Sequence, residues 1–440
     1  MAAMSRKGVF AARLTRREFV KKAMLFLAAP TVIPAAALGR TGTAPSNRIG
    51  VAVIGTGGMG GGHLDGLLWR DDVRVLAVCD VDGTRRKEAA DKVTNRYAGD
   101  KASGTASPCP SYNDFREVLA RPDVDAVVIA TPDHWHVAIA NAAARAGKDV
   151  YCEKPLSLTV VQGRSLVETM ARHSRVFQTG SWQRSQESFR RACELVRNGR
   201  IGKVRTVEVT LPSSESIGPQ PVQPVPEGFD YDFWLGPAPW APYTAKRCHY
   251  QFRWIRDYSG GGVTDWGAHH FDIALWALGL DRSGPVAVEG TCSFPQEGIY
   301  DNAFDYLIRY EMPDGTVITA RDRAEPYHVR FEGDRGWINI WREGFEASPS
   351  SLTRERVRPG EIRLYRSDDH TGNWLSCIRS RRETATPPEV AHRSASMCHI
   401  GNIALFTGRK LKWDPVAEKF AGDAGADAML ARPMRAPWHT

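Results

Sequence analysis

A chain of 440 residues that is 42% hydrophobic and 25% charged, with 40 Gly and 27 Pro, has a globular balance and is long enough for two or three domains. That balance excludes a disordered, collagenous or coiled-coil protein. The formal charge of +8 invites a nucleic-acid or acidic-membrane partner. Its distribution argues otherwise, because seven basic residues against the single Glu18 place +6 within residues 1–37 and leave +2 for the remainder.

Those first 37 residues have three parts. A basic stretch is followed by the apolar run Ala23–Pro34, too short to span a bilayer, and then by Ala35-Ala36-Ala37 as a cleavage site. The pair Arg16-Arg17 within Thr15-Arg-Arg-Glu-Phe-Val-Lys21 resembles the twin-arginine signal, which exports proteins already folded. The expectation is a periplasmic or otherwise exported protein that meets the membrane only during export. Eight scattered cysteines without a C-x-x-C pair suit small core residues better than a disulfide framework or a zinc site.

Next in chain order, Arg48–Ile54 is a β-branched run that leads directly into Gly55-Thr-Gly57-Gly58-Met59-Gly60. A G-x-G-x-x-G between a strand and a helix is a dinucleotide fingerprint. Gly55 permits the tight turn, Gly57 lets backbone approach the pyrophosphate, and Gly60 lets helix and strand pack closely. A second strand, Val73–Cys79, ends at Asp80, twenty residues past Gly60. A carboxylate there suits a ribose hydroxyl and favours NAD over NADP, although Arg85 and Arg86 partly offset it. The alternation continues with a strand at 124–130, a helix at 135–146 and a strand at 149–152, the rhythm of a doubly wound sheet. Its connections Thr131-Pro132-Asp-His-Trp-His136 and Glu153-Lys154-Pro155 fall at strand carboxyl ends, where such sheets place ligands. His134 and His136 have no carboxylate or Cys partner at a ligand spacing, so no metal is expected.

Further on, Gly260-Gly-Gly-Val-Thr-Asp265-Trp-Gly-Ala-His269-His-Phe-Asp272 places Asp265, His269, Asp272 and Trp276 on one face if the segment is one helix. A carboxylate one turn before a histidine can orient the imidazole as a general base; the alternative is a helix cap beside a core histidine. Between Tyr231 and Tyr258 lie nine aromatic residues, Trp254 and Tyr258 among them, with Arg247, His249, Arg253 and Arg256 interspersed. They suit sugar faces, a buried loop or a subunit interface equally. Strands are expected at 203–211, 286–294, 303–311, 316–323 and 329–332, and helices around 373–379 and 391–402.

Taken together and in this order, the glycine fingerprint, Thr131–His136, Glu153-Lys154-Pro155 and Gly260–Asp272 resemble the Gfo/Idh/MocA family of nicotinamide-dependent oxidoreductases over nearly all of 48–440. The resemblance implies an α/β protein: an N-terminal Rossmann domain, then an α/β domain with a large open, mostly antiparallel sheet that carries the substrate and often the oligomer interface. The implied organisation is a signal over 1–37, a linker over 38–47, an NAD(P)-binding domain over 48–180 and a substrate-binding and oligomerisation domain over 181–440. The implied activity is hydride transfer from a secondary hydroxyl of a carbohydrate or cyclitol to NAD. Lys154, His269 and Asp265 would be catalytic. Gly55, Gly57, Gly58, Met59, Gly60, Asp80, Thr131, Pro132, His136, Glu153 and Lys154 would hold the cofactor. Asp272, Arg247, Trp254 and Tyr258 would hold substrate. An NAD-dependent glycoside hydrolase and a non-catalytic sugar sensor are the rival readings. The partners expected are a small carbohydrate and a second copy of the chain, not nucleic acid.

Overall fold

The computed structural model describes residues 47–98 and 108–438, so the expected export signal and nearly all of the linker lie outside the described residues. Six parallel strands form the first sheet: β1 (Ile49–Ile54), β2 (Val73–Cys79), β3 (Ser111–Tyr112), β4 (Ala126–Ile129), β5 (Asp149–Cys152) and β6 (Phe177–Thr179). Their order is β3-β2-β1-β4-β5-β6, with every pairing parallel. All six residues of β1 are buried, which explains its unbroken apolar run: helices cover both faces of a parallel sheet. The strand order reverses between β1 and β4, and the crevice outside that switch point is where such sheets bind ligands.

The second sheet has nine strands in the order β13-β12-β11-β7-β10-β9-β8-β14-β15. These are β7 (Val204–Leu211), β8 (Ala287–Ser293), β9 (Phe304–Glu311), β10 (Val317–Asp322), β11 (Val329–Gly333), β12 (Gly336–Trp341), β13 (Gly344–Ser348), β14 (Leu411–Asp414) and β15 (Lys419–Phe420). All pairs are antiparallel except β7 with β10. Alternation sorts the two faces. The row Ile338, Phe331, Val207, Ile318, Tyr310 and Val288 is buried, whereas the adjacent row Asn339, Arg330, Glu208, Thr319, Arg309 and Glu289 is partly exposed.

The last third of the chain belongs to both halves. Trp374, Leu375 and Cys377 of helix His370–Ser380 complete an apolar layer with β1 and β2. In the helix Pro388–Thr407, Ala391 and Ala395 enter a core shared with β4 and β5, while Met397, Cys398, Ile400 and Ile403 enter the core under the nine-stranded sheet. The parallel sheet thus takes part of its covering from residues 370–395. The eight cysteines are all free and six are buried.

Close packing at the first turn is strictest at Gly60, where a Cβ would stand 1.8 Å from the Gly55 carbonyl oxygen. Gly60→Ala is expected to destabilise the fold by about 1 to 3 kcal/mol in urea denaturation; an unchanged midpoint would refute this close approach.

Candidate active site

The glycine turn builds one end of the site. Gly55 has φ +85°, a backbone conformation glycine adopts freely, and its N–H bonds the Cys79 carbonyl at 2.8 Å. The helix Gly58–Leu68 then begins, and a Cβ on Gly58 would meet nothing within 4 Å. Open space at a helix N-terminus with free N–H groups suits a pyrophosphate. Beside it, Asp80 Oδ2 accepts from the Thr56 N–H at 2.7 Å and from its hydroxyl at 3.1 Å, and Oδ1 accepts from the Asp82 N–H at 2.9 Å. A carboxylate has about four acceptor positions, so room remains for a ribose hydroxyl.

From there a cleft of about 470 Å³ runs along the strand ends. Of the residues expected to hold the cofactor, Gly55, Gly57, Gly58, Met59, Asp80, Thr131, Pro132, His136, Glu153 and Lys154 line it. Gly60 lies behind the wall. His136 is a tie between loops: Nδ1 faces the Pro155 carbonyl at 2.7 Å and Nε2 the Thr131 carbonyl at 2.9 Å. Glu153 is buried, with Oε1 bonded to His63 Nε2 at 2.7 Å. Burial pushes its carboxyl up, but the hydrogen bond and charge of His63 with the charge of Lys154 outweigh it and hold it below the usual carboxylate range.

At the far end, Lys154 Nζ donates to Asp265 Oδ1 at 2.7 Å and to the Asp265 backbone carbonyl at 2.7 Å. Arg253 Nε adds a bond to Oδ1 at 3.3 Å. Burial raises the Asp265 carboxyl, and the charges of Lys154 and Arg253 with their hydrogen bonds more than reverse this.

The second bond of Lys154 changes the local fold. A continuous helix would give the Asp265 carbonyl to the His269 N–H. Lys154 takes that carbonyl instead, and His269 N–H turns to Trp266 at 2.9 Å. The expected single helix is therefore two, Gly261–Asp265 and Gly267–Leu278, and the i, i+4 relation of Asp265 to His269 is lost. Asp265 serves Lys154 rather than His269. His269 itself is buried, its ring edge-on to Trp182 and Trp266 at 6.2 and 6.4 Å and its Nδ1 without a partner. Burial first, then the charges of Lys154 and Arg342, hold the imidazole well below its usual range, so it is neutral near pH 7.

The four residues expected to hold substrate are placed elsewhere. Asp272 is clamped by Arg184 in the core, at 2.7 and 2.8 Å, and the same guanidinium lies 4.7 Å over the Trp276 ring. Arg247 donates to the buried Tyr258 hydroxyl at 3.2 Å, and Trp254 Nε1 donates to Gln251 at 3.1 Å. None of the four lines the cleft. They belong to an aromatic cluster or a core ion pair because ring stacking and desolvation fix them inward. From the same segment Phe233, His249, Tyr250, Phe252 and Arg253 do reach the cleft. Sequence reasoning also missed His63 and Asp133; Asp133 is buried in the wall and accepts from the Ser259 hydroxyl at 2.5 Å. The signal for Asp133 was its place at the helix start after Pro132.

Family models match this geometry over most of the chain. Residues 49–181 match an oxidoreductase family's NAD-binding Rossmann fold and residues 216–440 its C-terminal alpha/beta domain. The chain belongs to the Gfo/Idh/MocA oxidoreductases. It is an enzyme with NAD as cofactor. It is 26% identical to myo-inositol 2-dehydrogenase of Thermotoga maritima over 372 residues, covering 82% of this chain and 95% of that one. A glycosyl hydrolase family 109 protein of Shewanella is 34% identical over 169 residues, 35% of this chain and 36% of that one. Among solved structures, an aldose-aldose oxidoreductase from Caulobacter crescentus in complex with glycerol aligns with TM-score 0.61 at 20% identity, over 83% of this chain and 99% of that one. This last likeness is one of fold.

Buried histidines give the stability of the fold a pH dependence. Burial depresses His134 and His370 to about 4 and His270 and His399 to about 3, with His269 also low. An unfolded chain takes these protons near pH 6.5 while the folded one does not, so stability falls as pH drops below that value. Urea midpoints at pH 7.5 and 5.5 should therefore differ, the acid one being lower; equal midpoints would contradict the depressed values.

Proposed function

We propose that the enzyme oxidises a secondary hydroxyl of a carbohydrate or cyclitol, with NAD retained through turnover. The observation that carries this reading is Lys154 in the cleft wall, its ammonium held by Asp265 and its charge bearing on a neutral His269 buried behind that wall. NAD, when bound, supplies the hydride acceptor. His269 takes the hydroxyl proton, Lys154 stabilises the developing alkoxide, and Asp265 fixes the direction of Lys154. The inositol dehydrogenase relative and the sugar oxidoreductase likeness agree with this substrate class.

Retention of NAD is supported by the segment that closes the cleft. The Asp230 N–H bonds the Val81 carbonyl at 3.0 Å, the Gly83 N–H bonds the Gly228 carbonyl at 2.8 Å, and Asn113 donates to Asp230 at 2.8 Å. These bonds carry Phe229, Phe233 and His249 onto the nucleotide end of the cleft. Retention also suits the export proposed from Arg16-Arg17, since no nicotinamide pool outside the inner membrane would reoxidise a free cofactor. A second reading, transient oxidation followed by elimination of a glycosidic bond, is favoured by the family 109 relative.

The purified protein should release NAD on denaturation. Incubated in deuterated water with myo-inositol, aldoses and aryl glycosides, it should yield a keto product together with an equal amount of a reduced aldose, the second sugar taking the hydride back from the bound nucleotide. Deuterium beside the oxidised carbon together with free sugar would select the glycosidase instead. Lys154→Met should cut turnover by about 10²- to 10⁴-fold, with nucleotide content and the urea midpoint measured alongside to separate lost chemistry from lost packing; surviving turnover overturns the assignment. The double variant Arg16→Lys, Arg17→Lys should accumulate in the cytoplasmic fraction, and unaltered fractionation would exclude the twin-arginine route.

A further inference from the structure

Near His269, though not among the residues that line the cleft, stands an arginine whose charge helps keep that imidazole neutral and which no ion pair or hydrogen bond of the described residues engages. Arg342 follows β12 in the turn to β13. Its guanidinium lies 4.0 Å from the ring centre of Trp266 and 4.7 Å from that of Trp182. These are the two tryptophans that contact the edge of His269, so the cation and the imidazole share a pair of walls.

Arg342 has no counter-ion. Among the described residues no carboxylate comes within 4.0 Å of it, and its buried Nε has no acceptor. Arg184, by contrast, holds Asp272 at 2.7 Å, and Arg253 holds Asp265 at 3.3 Å. Glu325 and Glu343, whose charges reach Arg342, are themselves exposed. A half-buried cation without a partner is unfavourable unless an anion relieves it. Two indole faces hold the planar fork in place, and that fork matches a carboxylate or a phosphate.

The surroundings have the same sign. Lys154, Arg253 and Arg342 face two carboxylates, Asp265 and the buried Asp133, since Glu153 next to Lys154 is bonded to His63. Arg342 is also near enough to bear on both Asp265 and His269. We infer that Arg342 is an anion-recognition residue and that the substrate is a sugar carrying an acidic substituent. The inference rests on the carbohydrate reading proposed above and narrows it.

The test is calorimetric titration of the NAD-loaded protein with matched pairs: glucuronate against glucose, galacturonate against galactose, and glucose 6-sulfate and glucose 6-phosphate against glucose. At least one acidic member should bind about 10- to 100-fold more tightly than its neutral partner, and that member identifies the substituent. Arg342→Gln should abolish most of that ratio and Arg342→Lys should keep part of it. Nucleotide content and thermal melting report whether each variant folds, and salt should weaken the acidic ligand selectively even in the unaltered protein. Equal affinities within every pair, or a ratio unchanged in Arg342→Gln, overturn the inference and leave the carbohydrate reading standing. Failure of every sugar to bind removes both.

Discussion

One ion pair holds the reaction centre together. Lys154 follows the fifth strand of the parallel sheet, and Asp265 ends a helix 111 residues later. Their side chains are only 13% and 16% exposed, so each is a poor arrangement without the other. Removing one partner of such a largely desolvated pair leaves the other charge uncompensated and is destabilising. The bond to the Asp265 backbone carbonyl adds a second constraint, because it interrupts the helix and thereby sets the position of Trp266 and His269. The chemistry of the site thus depends on where two halves of the chain meet.

Desolvation gives that meeting point its character. His269 is neutral because it is buried beside cations, which suits a base. Glu153 and Asp265 stay ionised for the opposite reason, since each is buried against a donor that favours its charge. Similar carboxylates therefore serve different neighbours: Glu153 is tied to His63 and Asp265 to Lys154 and Arg253.

The nucleotide half was readable from sequence because its demands are local. A glycine that must lack a Cβ, an acid at a strand end and two loops at neighbouring strand ends all follow from short-range geometry, and the structure lines one cleft with them. The strands β7 to β11 were legible for the same reason, through their alternation. What could not be read is what depends on distant partners. Helical spacing suggested that Asp265 faces His269, but a lysine from another element captured the carbonyl that would have continued the helix. Asp272 looked like a ligand until Arg184 supplied its counter-ion from 88 residues away. In the aromatic segment composition could not separate Tyr250, which is 62% exposed and lines the cleft, from Tyr258, which is wholly buried.

The helix Pro388–Thr407 bears on modularity. Because its first turns fill the core of the parallel sheet and its later turns the core of the open sheet, no cut of the chain near residue 181 yields two complete parts. A foreign C-terminal half grafted there would strip Trp374, Leu375, Ala391 and Ala395 from the nucleotide half and leave apolar hollows in it. The interlocking C-terminus therefore makes the two halves of this chain a single unit of folding, neither of which is exchangeable without the other.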